Sequence, residues 1–316
     1  MILVIVGHAI QSICEDYTES HIWCLIYSFH MPAFMSVSGW LAYRMGGASF
    51  QSECLVSRRF RQLMIPYLVW SIIQYLRHGQ LGIENLQRII LYPDAYFWFL
   101  WVLFFIYVLF ALCQWIARKY DLEDLIVLYA TCLLLIGLMV FFEIRLFGFQ
   151  FIAYYFLFYT IGYTLRKCPI RLFRKPIVLI VLTIIWGILA WGWNMHQLPS
   201  WIPPIPNIPI SLQQYIYRGV TAAIAIIVIL NVAPQWLNGS GLNKVISRFG
   251  KVSLGIYVVH LTIMGYITDG IRYIYPMSST AMVIVVSILT AALSCGIVEL
   301  LYRSKLSAEV LLGKLQ

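Results

Sequence analysis

A histidine stands in each of three strongly apolar stretches: His8 in MILVIVGHAIQSIC, His30 in HIWCLIYSFHMPAFMSVSGWLAYR and His260 in FGKVSLGIYVVHLTIMGY. Imidazole, with an unperturbed pKa of about 6.5, can take a proton or act as a nucleophile at neutral pH. Glu299, in VELLYRSK, is a fourth ionisable group in an apolar setting. Charged or titratable groups in hydrocarbon cost several kcal/mol and usually face the interior of a helix bundle, so each is a candidate for chemistry. Each also has a plainer reading. A lone intramembrane histidine is as readily a hydrogen-bonded packing residue, and for His260, followed by Leu261 and Thr262, the packing role is the expected one. Glu299 has Arg303 four residues on as an ion-pair partner. Two histidines without a cysteine or carboxylate cluster are a poor metal site, so no metal is expected.

The densest basic cluster is Arg58, Arg59 and Arg61 in RRFRQLMIPY. It either anchors a cytoplasmic helix end or, with backbone N–H groups at a helix start beside it, offers a planar-donor site for an anionic cytosolic ligand. A second basic stretch is RKCPIRLFRK. Trp98 opens YFWFLWVLFF and reads most simply as part of an interfacial aromatic belt.

The elements that must carry these residues are membrane helices. With 61% hydrophobic and 11% charged residues and a mean hydropathy of +0.82, the chain is too apolar for a soluble domain. Spanning about 30 Å of hydrocarbon takes roughly 20 helical residues. Nine such runs are expected, near 22–43, 62–78, 97–117, 125–142, 149–165, 177–194, 215–233, 252–272 and 278–302. Residues 1–14 form a tenth, shortened run, and the sequence is expected to enter inside that first helix. The expected fold is therefore an all-α polytopic membrane bundle of about ten transmembrane helices, the first truncated at its N-terminus. Residues 1–316 are expected to form one transmembrane domain with no appended soluble domain.

Assigning loops alternately puts 17 of the 22 lysines and arginines on one side and only Arg77, Arg88, Arg145, Arg218 and Arg272 on the other. That asymmetry places both termini in the cytoplasm and gives the net charge of +9 an orienting role, with no nucleic-acid partner implied. At ~1.5 Å per residue from the outer helix ends, His8 lies ~9 Å deep, His30 ~12 Å and His260 ~16 Å. His8 and His30 can thus flank one outward-opening cavity, with the basic cluster on the far side. Pro32 should kink the second helix, whose Ser36, Ser38 and Gly39 give it a small-residue face for close helix contact. The proline-rich LPSWIPPIPNIP should be a stiff extended loop, a candidate lid. Seven cysteines show no CxxC pair; Cys14 and Cys24 flank the first outer loop and are candidates for a bridge.

Gly7–His8, FHMPAFMSVSGWLA, RRFRQLMIPYLVW, WFLWVLFF, YFLFYTIGY and FGKVSLGIYVVH, which includes Tyr257 and His260, occur in an order that resembles the acyltransferase 3 family of integral membrane O-acyltransferases, closest in spacing to the fucose 4-O-acetylase-like branch. The resemblance implies a bacterial plasma-membrane enzyme that moves an acetyl group from cytosolic acetyl-CoA to a hydroxyl of an envelope or lipid-linked glycan. It implies that His8 is catalytic and that Arg58 and Arg61 act on the cytoplasmic side. The family pattern also has an arginine upstream of that histidine, before the point where this sequence begins. On this reading His8 is the base or a transient acetyl carrier, His30 or Ser38 is its hydrogen-bonding partner, Arg58, Arg59 and Arg61 hold the CoA phosphates, and Trp98, Tyr257, His260 and Glu299 are further candidates. The rival class is a polytopic transporter or glycan exporter; no inverted repeat is visible to favour it.

Overall fold

The computed structural model describes residues 1–43, 52–80, 82–93, 96–237, 242–274 and 279–314, apart from the side chains of 52–55, 234–237, 242–249, 251 and 273–274. Arg44 and the side chains of Lys244, Arg248 and Lys251 lie outside the described residues. The chain is all-α: no strand occurs among the described residues. Among the described residues, six helices are long and apolar enough to cross a membrane, and Ile2–Ile13 and Pro176–Trp191 are shorter apolar helices. Backbone donors and acceptors in hydrocarbon must be satisfied within the segment, which is why such a composition folds as helices.

The chain divides into two compact units, one of residues 1–43, 161–250 and 264–290, the other of 44–160, 251–263 and 291–316. In the first unit, α1 (Ile2–Ile13) is followed by α2 (His21–Tyr27) and α3 (His30–Ala42). The expected single helix over 22–43 is therefore two. The break falls at Ser28–Phe29, where Phe29 takes φ −141°, upstream of Pro32 rather than at it. Proline has no N–H and clashes with the turn before it, but at the start of a helix the missing donor would be unpaired anyway. Restarting the helix at His30 puts Pro32 in the first turn of α3, where its ring is tolerated.

The second unit carries α4 (Ser52–Arg59), a π-helical turn (Phe60–Met64) and α5 (Ile65–Arg77) in unbroken succession. The chain therefore enters this span ten residues before the expected start at 62. Pro66 offers no N–H to the carbonyl four residues back, that of Gln62, and the turn ahead of it opens to π form. After α5 come α6 (Ile83–Leu91), a short amphipathic helix that the hydropathy pattern did not mark, then α7 (Trp98–Lys119) and α8 (Asp124–Phe142). α9 (Phe149–Lys167), α12 (Leu242–Ile274) and α13 (Ser279–Leu301) contribute to both units, while α10 (Pro176–Trp191) and α11 (Ile210–Leu237) belong to the first. A last helix, α14 (Lys305–Leu312), caps the second unit; the Trp70 indole N–H donates to Leu311 O at 2.7 Å.

Two glycines mark where backbones touch. A Cβ at Gly162 of α9 would lie 1.9 Å from Ser36 O of α3, and one at Gly313, whose φ is +63°, would lie 2.1 Å from Gln62 O. The small-residue face of α3 is thus used for helix contact, through the fully buried Ser36.

The proline-rich segment between α10 and α11 is pinned. Gln213, 8% exposed, accepts from Ile205 N–H at 2.9 Å and donates to Ile205 O at 3.0 Å and Ile208 O at 2.8 Å. The Gln214 side chain donates to His196 O at 2.7 Å. One buried amide thereby satisfies a segment whose prolines preclude regular pairing, and the expected lid is a fastened cap. Cys14 and Cys24 are both free thiols, and Cys24 donates to Thr18 O, so the expected bridge does not form.

Gly162→Ala forces α3 and α9 apart and is expected to destabilise the protein by about 1–3 kcal/mol or more, whereas Gly137→Ala, with nothing within 4 Å of its new Cβ, is neutral or stabilising. Thermal unfolding of the two variants in detergent distinguishes them.

Candidate functional site

The histidine site is built by three elements of the first unit. α1 presents His8, half-buried, between the buried Gly7 and Ala9. Gln11, three residues on, shares its helix face. The last residue of α2, Tyr27, closes over this turn. Its hydroxyl donates to Gln11 Oε1 at 3.1 Å, and its ring lies so close to α1 that a Cβ on Gly7 would stand 2.9 Å from Tyr27 Cε2. Trp23 stacks on the other side of Tyr27 with centroids 3.9 Å apart. Trp23 belongs to a core with Ile10, Cys24, Trp193 and Tyr217, which makes the position of Tyr27 rigid.

His30 opens α3 directly after the helix break. Its Nδ1 is 2.8 Å from Ile26 O, so Nδ1–H donates to a carbonyl near the end of α2 and Nε2 carries the lone pair. Its ring meets the Tyr27 ring edge-on at 4.5 Å. Tyr27 thus touches the surroundings of both histidines, against Gly7 and Gln11 on one side and the His30 ring on the other. His30 is 4% exposed, so of the two it is His8 that has accessible surface.

Ser38 lies eight residues beyond His30 on α3, ~12 Å along the helix, and its hydroxyl donates to Phe34 O at 2.9 Å within its own helix. His260, in the second unit, is fully buried, and its Nδ1–H donates to Tyr257 O at 2.6 Å. Tyr257 packs edge-on against Phe97 and Phe99 at 6.1 and 5.5 Å. Trp98, read as an interfacial residue, is stacked on Phe151 and Tyr155 at 5.0 and 5.2 Å. Glu299 is exposed near the end of α13, which stops at Leu301, so Arg303 lies past the helix rather than on it.

The arginines form the second centre. The expected contribution of free backbone N–H groups does not hold, because α4 continues upstream and the arginines sit in mid-helix. Arg59 donates to Gln62 Oε1 at 2.9 Å and lies over the Tyr107 ring at 4.6 Å. Tyr107 is twelve residues from Lys119 at the basic end of α7, ~18 Å along the axis. The pairings Phe60–Phe104 at 5.7 Å and Tyr67–Trp101 at 5.4 Å continue the same antiparallel register. The cluster is therefore carried well inside the length of α7. Arg58 and Arg61 are exposed. Arg61 edges a cavity of about 640 Å³ between α4, the π turn and α7, lined otherwise by Val56, Ser57, Phe60, Phe104, Ala111, Leu112 and Trp115. No group of three or more His, Cys, Asp or Glu placed to hold a metal occurs among the described residues.

A family model for the acyltransferase domain of the acyltransferase 3 family matches residues 1–299. The chain belongs to this family. With its long apolar helices it is an integral membrane protein. It is 40% identical over 78 residues to the nodulation protein NolL of Sinorhizobium fredii, covering 23% of this chain and 21% of that protein. To NolL of Mesorhizobium japonicum it is 31% identical over 119 residues, covering 34% of this chain and 31% of that protein. The matches thus span between about a fifth and a third of the length of these curated relatives. No solved structure matches the chain.

Gln11 and Tyr27 are the site residues that sequence reasoning missed. Gln11 had one available signal, its i+3 spacing from His8 on the same helix face; Tyr27 had none, because its place depends on how α2 folds back on α1. Replacing Gly7 by Ala pushes a Cβ into the Tyr27 ring. The expected result is a loss of acyl transfer larger than any loss of folded protein, read from transfer rate against the yield of monodisperse protein.

Proposed function

We propose that this acyltransferase moves an acetyl group from cytosolic acetyl-CoA to a hydroxyl of an extracytoplasmic or lipid-linked glycan, with His8 as general base or transient acetyl carrier. The observation that carries the reading is the His8–Tyr27–His30 arrangement, an accessible imidazole beside a buried one in a chain of this family. As base, His8 takes the proton of the acceptor hydroxyl while its oxygen attacks the thioester carbonyl; the C–S bond breaks, and the imidazolium returns the proton to the departing CoA sulfur. As carrier, the His8 nitrogen attacks first, CoA leaves, and the hydroxyl then takes the acetyl group from the ring. His30, whose Nδ1–H is committed to Ile26 O, keeps its Nε2 lone pair available to a donor near His8.

Arg58, Arg59 and Arg61 hold the CoA phosphates by charge-assisted hydrogen bonds. What supports this is the exposure of Arg58 and Arg61 and the apolar cavity beside Arg61, which suits the pantetheine arm. The side carrying Arg118, Lys119, Arg166 and Lys167 faces the cytoplasm of a bacterial plasma membrane, in keeping with the loop charge bias.

His8→Ala and His8→Gln should abolish acetylation of membrane glycans from radiolabelled acetyl-CoA, with expression and monodispersity unchanged; wild-type acetylation in either variant ends the assignment. Arg61→Ala should weaken acetyl-CoA binding on the order of 10- to 100-fold, since a charged hydrogen bond contributes about 1.5–3 kcal/mol and each 1.4 kcal/mol is tenfold. Arg61→Lys should recover only part, keeping charge and losing the planar fork. Titration of acetyl-CoA in nanodiscs measures both; normal binding with lost turnover in Arg61→Ala moves this arginine from donor binding to the chemical step.

A further inference from the structure

We infer that Gln11 and Tyr27 are positioning residues for His8, forming a neutral Tyr–Gln–His relay that orients the ring and leaves one nitrogen as a lone-pair base; this rests on the role proposed for His8. The amide oxygen of Gln11 has two lone pairs. One takes the Tyr27 hydroxyl at 3.1 Å, which fixes the amide so that the other can receive a ring N–H of His8, three residues back on the same face of α1. An imidazole that donates one N–H presents its second nitrogen unprotonated, as general base catalysis requires.

Tyr27 can hold Gln11 only because its own freedom is removed on three sides. Trp23 stacks on its face, the bare Gly7 admits its edge at contact distance, and His30 stands against it at 4.5 Å. Gly7 next to His8 thus has a chemical reason: a side chain there would displace the ring that orients the amide that orients the imidazole. The choice of an amide over a carboxylate follows from the same setting. A carboxylate beside His8 would bring a charge into hydrocarbon and hold the ring protonated, whereas an amide orients it and leaves it neutral.

The test compares Gln11→Leu, Gln11→Glu, Tyr27→Phe and His8→Ala in the full chain in nanodiscs, with radiolabelled acetyl-CoA as donor and the glycan fraction of the expressing cells' membranes as acceptor. Gln11→Leu should lower kcat about 10- to 100-fold, a fraction of what a positioned base contributes, with KM for acetyl-CoA unchanged. Gln11→Glu should lower the rate at neutral pH and recover it at higher pH, moving the acidic limb of the pH–rate profile up by about one unit or more, the displacement that an adjacent opposite charge produces. Tyr27→Phe, the mildest change, should lower kcat several-fold at constant KM. A wild-type kcat in Gln11→Leu or Tyr27→Phe, a fall matched by an equal rise in KM, or an unmoved acidic limb in Gln11→Glu overturns the relay. If those results accompany an inactive His8→Ala, the relay fails and the role of His8 stands; an active His8→Ala removes both.

Discussion

Proline inside a membrane helix leaves a carbonyl that water cannot reach, and two prolines of this chain determine where its site residues stand. Pro32 and Pro66 each deny a hydrogen bond to the preceding turn, and hydrocarbon enforces compensation. At Pro32 the compensation is a break at Ser28–Phe29, three to four residues upstream, and beside it the carbonyl of Ile26 near the end of α2 is taken by the His30 ring. At Pro66 it is a π turn, and that turn carries Arg61 with Arg58 and Arg59 just before it. The FHMP and IPY motifs are therefore devices that put irregular backbone beside chemistry, and they tie the imidazole and guanidinium groups to specific turns.

The histidine and arginine centres are held in different ways. His8 and His30 are fixed by aromatic packing: Trp23, Tyr27 and Trp193 form a column of rings, with Trp193 6.2 Å from Trp23, and the polar atoms hang from it. The arginines are fixed by length. α4, the π turn and α5 make 26 helical residues in succession, ~39 Å at the α-helical rise, long enough to cross hydrocarbon with the arginines part-way along. Such side chains can bury their stems and direct their heads to polar partners, as Arg59 does with Gln62 and the face of Tyr107. A rigid imidazole suits proton transfer, and extended guanidinium groups suit a flexible polyanionic donor.

Close backbone approach supplies the remaining order. Lipid-facing surfaces are as apolar as the interior, so hydrophobic burial alone does not select helix partners in a membrane, and small residues that let backbones meet take over that task. Gly162 against Ser36 joins α9 to α3 and so anchors the helix that begins with His30. Gly313 against Gln62 seats the end of α14 beside the carbonyl that Pro66 leaves without its helical donor. Both contacts lie one or two elements from the candidate chemistry, and both fix it indirectly.

Composition and hydropathy by themselves determined that the chain is an all-α membrane protein and where most of its helices run, because a run of some 20 apolar residues has one low-energy form in hydrocarbon. The order of motifs around His8, His30 and Arg58–Arg61 determined the family. Hydropathy could not show that the span at 62–78 continues back to Ser52, since arginines end an apolar run without ending a helix. Nor could it show α6, α14 or the break before Pro32, which depend on how orphaned carbonyls and amphipathic faces find partners. Tertiary structure alone decided that Tyr27 lies over Gly7 and donates to Gln11, and that Gln213 fastens the proline-rich cap. Those contacts join residues on different helices, or a loop to a buried side chain, and a linear pattern records spacing within an element but not which face of the next element meets it.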